Sequence, residues 1–358
     1  MANTLAHGFV GLESMFSQRV TDNNVATVIN AIQISVDEHN RQVAAMTGDM
    51  FEFTTEYQVR FLQPGDGDMQ PLDQWGNPLP VREEGYYDVA FPIDRGGTAW
   101  GTNRETRALQ TVADVNRATL NALQRDAKWI KRHMLAALFD NTTRAYSDPD
   151  KGALTVQPLA NDDAVVYVKR SGTNATDDHY HAQVAAIADA TSPFDTIYTD
   201  LMEHPVNSGG QVVVYIPTSN KAAVEGLAGF IEVGDPDINQ GVNTATISGS
   251  IDRGWGDEVI GKVNKCWIIE AGILPDDYLV ANVRGSAEAP LWAREQDAAA
   301  LQGLIREDHS PDGNLQEQRF IRILGFGAYN RVGALVFFIE AGDTTYDIPA
   351  GYAAPLAV

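Results

Sequence analysis

A chain of 358 residues with 44% hydrophobic content can bury the cores of two or three domains, and it holds no apolar run of about eighteen residues that could span a membrane. Its 48 acidic against 26 basic side chains, a formal charge of -22, repel phosphate backbones at long range and exclude a dedicated nucleic-acid binder. A container for nucleic acid is not excluded, because its walls should not adsorb the cargo.

The start, MANTLAHGFVGLESMF, has neither the basic opening nor the apolar block of a secretory signal, so folding in the cytoplasm is expected. Residues 1–50 read as an extended arm with one helix. Val25, Val28, Ile29, Ile32, Val36 and Val43 recur at helical spacing, and Asp22, Asn23 or Asn24 can cap its start. The same helix could equally belong to the core of its own chain.

In FEFTTEYQVRFL, Phe51, Phe53, Thr55, Tyr57, Val59 and Phe61 alternate with Glu52, Thr54, Glu56, Gln58, Arg60 and Leu62, the period of a half-buried strand. A second run, Tyr87, Val89, Phe91 and Ile93, alternates with Asp88, Ala90, Pro92 and Asp94. The segment between them is dense in Gly, Pro, Asp and Asn and must turn. One long β-ribbon with an irregular tip is predicted. A two-stranded ribbon is marginal alone in water, so its aromatic face needs cover, either from the body of its own chain or from a neighbouring subunit.

Gly96, Gly97 and Gly101 read as a flexible joint. A long helix is predicted from about Asn103 to Phe139, with Leu109, Val112, Leu120, Leu123, Ala127, Ile130, Met134 and Leu138 on one face. A neighbouring face carries Arg107, Arg117, Arg125, Lys128 and Arg132. Such a stripe is a solvated helix face, or a docking strip for acidic arms of neighbours, or a weak inner-wall contact with phosphate.

Residues 141–180 read as short strands and turns, with VVYVKR one strand. Residues 181–295 read as an α/β unit. Its helices are AQVAAIADA, DTIYTDLMEH and TSNKAAVEGLA, the last opened by Thr218 or Ser219 as cap, and its strands are QVVVYIP, CWIIE and YLVANV, with a Gly- and Asn-rich loop at 234–256. RFIRILGFGAYN and ALVFFIEA close the chain as strands, the second apolar enough for full burial.

Catalytic patterns are absent. No Gly-x-Ser-x-Gly elbow occurs, and GWGDEVIG at 254–261 lacks the Gly-Lys-Ser/Thr of a phosphate cradle. Asp177, Asp178, His179 and His181 have metal-ligand flavour but read as a solvated turn, and Asp66 and Asp68 as a tight turn. Asn141 and Asn174 head glycosylation sequons without meaning in the cytoplasm. The lone Cys266 excludes an internal disulfide and reads as a buried strand residue. No catalytic, cofactor or metal site is expected.

The order of parts is specific: arm, long ribbon, glycine joint, long helix, α/β unit, closing strands. It resembles the major capsid proteins of tailed double-stranded DNA phages, over nearly the whole chain. Locally, GDEVIGKVNKCWIIEAGILPDDYLVANV is similar to the family's axial stretch, with its Leu-Pro-acidic turn at Ile273 to Asp277. APLWAREQ and RFIRILGFGAYNRVGALVFF are similar to the return into the peripheral domain, including the step Tyr329, Arg331, Ala334.

The resemblance implies an α+β capsid fold with an N-terminal arm at 1–50, an extended β-hairpin loop at 51–103, a peripheral domain with a spine helix at 104–180 and 296–358, and an axial domain at 181–295. It implies a structural, non-enzymatic protein of the virion, assembled in the host cytoplasm through pentamers and hexamers of itself into an icosahedral shell around double-stranded DNA. Scaffolding and portal proteins, and a decoration protein, are the implied partners; no cofactor and no membrane are implied. Residues 51–103 contain no Lys, so the Lys–Asn weld of some family members is not expected. No charge-rich leader precedes residue 50, so a scaffold is either separate or already removed.

Strength must then come from noncovalent contacts. The ribbon is expected to lie across the adjacent subunit, burying Phe51, Phe53, Tyr57, Val59 and Phe61, or Tyr87, Val89, Phe91 and Ile93. Arg60, Arg82, Arg117, Arg125 and Lys128 would set register against acidic partners. The competing readings are an encapsulin-like cellular compartment with the same fold, a soluble α/β enzyme with its site in the 234–256 loop, and a tail-tube protein.

Overall fold

A computed structural model of the chain describes residues 19–20, 25–47, 50–63, 72–77, 85–101, 103–172, 174–233, 253–308 and 317–356. Its α-helices are α1 Val25–Thr47, α2 Arg104–Leu109, α3 Val112–Phe139, α4 Phe194–Met202 and α5 Lys221–Glu225. The strands, in chain order, are β1 Phe51–Thr54, β2 Gln58–Leu62, β3 Tyr86–Ala90, β4 Asp94–Gly101, β5 Arg144–Asp148, β6 Gly152–Val156, β7 Tyr180–Gln183, β8 Gln211–Ile216, β9 Phe230–Glu232, β10 Glu258–Val263, β11 Cys266–Glu270, β12 Tyr278–Arg284, β13 Leu291–Arg294, β14 Leu304–Asp308, β15 Glu317–Ala328 and β16 Ala334–Ile339. Two compact units form: residues 1–46, 93–133 and 295–325 make one, and 47–92, 134–294 and 326–358 the other. One division falls between Arg294 and Glu295, beside the boundary expected there, and none falls near residue 180.

In the first unit, Ile32 and Val36 of α1 pack with Val20, Val115 and Ala122, and with Leu304 and Phe320 from the sheet. The amphipathic helix of the arm is therefore a core helix of its own chain. Here β15 pairs antiparallel with β4 on one side and β14 on the other, so that Ile321 lies between Gly97 and Ile305. Gly96 and Gly97 are strand residues and not a joint. A Cβ on Gly96 would stand 2.7 Å from the Trp129 indole, so glycine here permits close approach of helix and strand.

The predicted single helix is two. Thr111 and Asp114 form a capping box at the break: the Asp114 N–H donates to Thr111 Oγ1 at 3.3 Å, and the Thr111 N–H donates to Asp114 Oδ2 at 3.1 Å. The Gln110 carbonyl accepts from the Val20 N–H at 2.9 Å instead of continuing the helix. The buried face matches the expected one only in part: Ile130, Met134 and Leu138 are inside as expected, but so are Val115, Thr119, Ala122 and Asp126, and Leu109 and Leu120 are exposed.

In the second unit a seven-stranded sheet runs β7-β16-β12-β8-β11-β10-β9. Its middle strands are buried on both faces, so they read as continuous apolar runs. Val212, Val214, Ile268, Leu279 and Leu335 meet Phe194, Ile197 and Leu201 of α4 and Val224 of α5. The AQVAAIADA segment is not helical. Its start belongs to β7, parallel to β16, and Asp189–Thr191 is a single 3-10 turn. An open sheet edge outweighs alanine's helical preference. VVYVKR is not a strand, and Tyr167 makes one isolated bridge, to Ala175. The Thr218 hydroxyl donates to Glu270 at 2.7 Å and caps nothing.

The run from Phe51 to Leu62 is also divided. β1 pairs in parallel with β13, and β2 pairs antiparallel with β3. The break falls where Thr54 Oγ1 accepts from the Glu56 N–H at 3.0 Å and the Phe91 N–H donates to the Tyr57 carbonyl at 3.0 Å.

Candidate assembly interface

The register of β2 on β3 sets Val59 opposite Val89, Phe61 opposite Tyr87 and Arg60 opposite Asp88. Alternation then puts Val59, Phe61, Tyr87 and Val89 on one face. That face is covered by its own chain. Phe61 stacks on Tyr87 with ring centres 5.3 Å apart and meets Tyr329 at 5.4 Å. Tyr87 packs against the cluster of Ala160, Val165, Tyr167 and Val332. Phe91 lies against Trp292, which stacks on Tyr329 with centres 3.8 Å apart. Phe51 lies edge-on to Phe326 at 4.9 Å. Phe51, Val89 and Phe91 are fully buried, which corrects the expectation that a neighbouring subunit covers them. Val59, Phe61, Tyr87 and Ile93 are half-buried.

Two buried arginines hold this base together. Arg331 donates through Nε to the Pro158 carbonyl at 2.7 Å, and through Nη2 to the Leu159 carbonyl at 3.1 Å and Asp163 Oδ2 at 2.6 Å. Its guanidinium also stands 5.9 Å from the rings of Tyr87 and Tyr167. Arg294 donates to the Phe91 carbonyl at 2.9 Å and to Asp148 Oδ2 at 2.6 Å. Burial works to raise the Asp148 carboxyl, but the backbone N–H of Asp150 and the Arg294 guanidinium outweigh it and hold the group below the usual range. The sequence marks Arg331 only as part of an aromatic-x-Arg step; its role is to bind loop carbonyls under the ribbon.

Away from the base the picture reverses. Among the described residues, twelve large apolar side chains are exposed, and six of them (Phe53, Tyr57, Leu62, Leu72, Trp75 and Tyr86) lie within this one excursion. Leu62 and Trp75 are each 80% exposed. Trp75 is presented by a turn in which Asp73 Oδ1 accepts from the N–H groups of Trp75 and Asn77, both at 2.8 Å, with Gly76 at φ +79°. Arg60 is already paired within the ribbon, bonding Asp88 at 2.7 and 2.9 Å and lying 4.1 Å over the Tyr86 ring. Arg82 lies outside the described residues, as do Asp66, Asp68 and most of the 234–256 loop.

On α3, Arg117, Arg125 and Lys128 are exposed. Arg125 donates to Thr98 Oγ1 at 3.0 Å. Leu120 is exposed beside Ala113, Asn116, Arg117, Asn121 and Gln124, which together line a shallow surface patch. The acid of this stretch, Asp126, faces inward instead. It accepts from Arg322 at 2.9 and 2.6 Å and meets His39 Nε2 at 2.8 Å. Burial works to raise its carboxyl, and His39 and Arg322 together hold it below the usual range.

The expected solvated turn at Asp177–His181 is a correction too. His179 is fully buried, and His204, far along the chain and unmarked in the sequence, is buried beside it and Asp177. Cys266 is also buried. Its thiol donates to the Phe194 carbonyl at 3.5 Å, and burial pushes it up to about 12, which leaves no thiolate at neutral pH.

No family model and no curated protein matches the chain. Among solved structures, a chain of Mycobacterium phage Patience is similar with a TM-score of 0.65 at 19% identity, covering 94% of each chain. The capsid of cyanophage P-SCSP1u gives 0.48 at 10% identity over 81% of this chain and 85% of that one. The mature capsid of bacteriophage PhiM1 gives 0.47 at 10% over 82% and 86%. The chain shares its α+β fold with that chain of Mycobacterium phage Patience.

Proposed function

We propose that the chain is the major capsid protein of a tailed phage, a shell subunit that acts by packing on copies of itself and catalyses nothing. The observation that carries this is the concentration of exposed apolar side chains on one excursion: of the twelve among the described residues, six lie between Phe53 and Tyr86. Large apolar side chains left exposed together on one segment mark an interaction site. Burying one such side chain against a neighbour is worth about 2–3 kcal/mol, and the gain is repeated at every subunit around a ring.

On this reading residues 51–103 are the extended loop, α3 is the spine, and the seven-stranded sheet belongs to the axial part. Pentamers and hexamers enclose double-stranded DNA, with scaffolding and portal proteins as partners during assembly in the host cytoplasm. The net charge of -22 suits a wall that must not hold its cargo. The exposed Arg117, beside Leu120, and the exposed Lys128 suit a contact with acidic arms of neighbours.

The test is deletion of residues 64–84, which leaves the self-covered base intact. Expected are folded subunits that sediment as small species, with no shells in electron micrographs. Normal shells would reject the assembly role. Neutralising Arg117 and Lys128 together separates neighbour from genome: empty shells must fail to form if the contact is between subunits.

A further inference from the structure

Asp177, His179 and His204 bring their ligand atoms within 4.8 Å of one another in the second unit. His179 Nδ1 lies 2.7 Å from the Ala334 carbonyl, and His204 Nδ1 lies 3.1 Å from the Val168 carbonyl. A carbonyl only accepts, so each Nδ1 carries the ring proton. The Nε2 atoms of both rings face Asp177 Oδ2, His204 at 2.6 Å and His179 at 3.6 Å, and none of the three atoms has an aligned hydrogen-bond partner. His179 is 0% and His204 1% exposed. Three ligand atoms this close together, two of them on fully buried rings, offer one place for a metal cation.

Lys169 Nζ stands 3.4 Å from the same carboxylate oxygen. One divalent ion serves all three atoms. We propose that Asp177 Oδ2, His179 Nε2 and His204 Nε2 form a divalent transition-metal site of zinc class.

Two imidazole nitrogens and one carboxylate oxygen are the donors that zinc and cobalt take, at about 2.0–2.2 Å each. The carbonyls of Ala334 and Val168 orient the rings, as second partners do in metal sites. The fourth position falls to water or to Glu203 Oε1, which lies 3.9 Å from His204 Nε2. Lys169 bridges Asp177 and Glu203, at 2.6 Å from Glu203 Oε1, and competes for the same place. The ion would staple the loop before β7 to the segment after α4, and through Ala334 it would hold the start of β16.

The full-length protein is stripped with EDTA, dialysed and titrated with cobalt(II). Expected is the visible absorption of four-coordinate cobalt at one ion per chain, bleached by zinc, and a higher melting temperature in zinc than in EDTA. Lys169→Met should tighten cobalt binding about tenfold or more by removing a nearby cation. His179→Gln with His204→Gln should abolish the absorption. A wild-type chain with no such absorption and equal melting in zinc and EDTA overturns the site, and this arm does not depend on any variant folding. So does absorption that survives the double substitution, or Lys169→Met binding no tighter than wild type.

Discussion

At the inner end of the ribbon, Phe51, Val89 and Phe91 are sealed within their own chain by Phe326, Trp292 and their neighbours; at the outer end, Leu62, Leu72 and Trp75 stand in solvent. Both ends carry apolar and aromatic side chains of one kind. The inner end contributes to the stability of the monomer. The outer end is a free-energy deficit in the monomer that association would remove on the proposed function. Alternation in a sequence therefore says that a face will be covered and leaves open by what.

The largest effect should come at the inner end. Phe91→Ala removes a fully buried ring packed against Trp292, and should cost about 3–5 kcal/mol in urea unfolding of dissociated subunits. A loss below about 1 kcal/mol would mean that the base is not sealed, and would restore the neighbouring subunit as its cover.

A buried charge in the other unit sharpens the contrast. Asp126→Asn leaves Arg322 buried without its ionic partner and should cost about 3 kcal/mol at neutral pH. The sign in pH follows from the depressed carboxyl. Its contribution is complete above the unfolded value of about 3.9 and is lost as pH falls through the lower folded value. Wild-type stability should therefore fall more steeply below about pH 4 than that of Asp126→Asn. Parallel curves would show that Asp126 is not the group responsible. Gly96→Ala comes next. Its methyl would meet the Trp129 indole at 2.7 Å, and the strand or the helix must shift, at about 1–3 kcal/mol. An unchanged melting curve would return Gly96 to the role of a joint.

The fold was largely legible because it lies in the order of parts, and the period-two and apolar runs that make β8, β11, β12, β15 and β16 survive in any context. What was not legible depends on partners. Phe51 to Leu62 keep one alternation through a break, because period two specifies a face and not a ladder. Gly96 looks the same in sequence whether it frees the backbone or admits an indole. The capping box of Thr111 and Asp114 was in plain view, yet the apolar positions either side read smoothly across it. His204 carries no local signal at all. It reaches Asp177 and His179 only because the chain folds the α4 segment back against the loop before β7. Of the side chains the sequence offered for an interface, Phe51, Val89 and Phe91 are taken up by their own chain, while Phe53 and Tyr57 stay exposed.

The smallest effect on stability should accompany the largest on assembly. Leu62→Ser and Trp75→Ser touch side chains that are 80% exposed, so each should change subunit unfolding by no more than about 0.5 kcal/mol. If these side chains are covered in the shell, the pair together forfeits two buried contacts at every copy, and shells should be scarce by sedimentation at subunit concentrations where wild type assembles fully. Subunits as stable as wild type that assemble as well as wild type would show that the outer end stays in solvent. The shell would then have to be held through other surfaces, with Leu109 and Leu120 beside the basic residues of α3 the next to be tested.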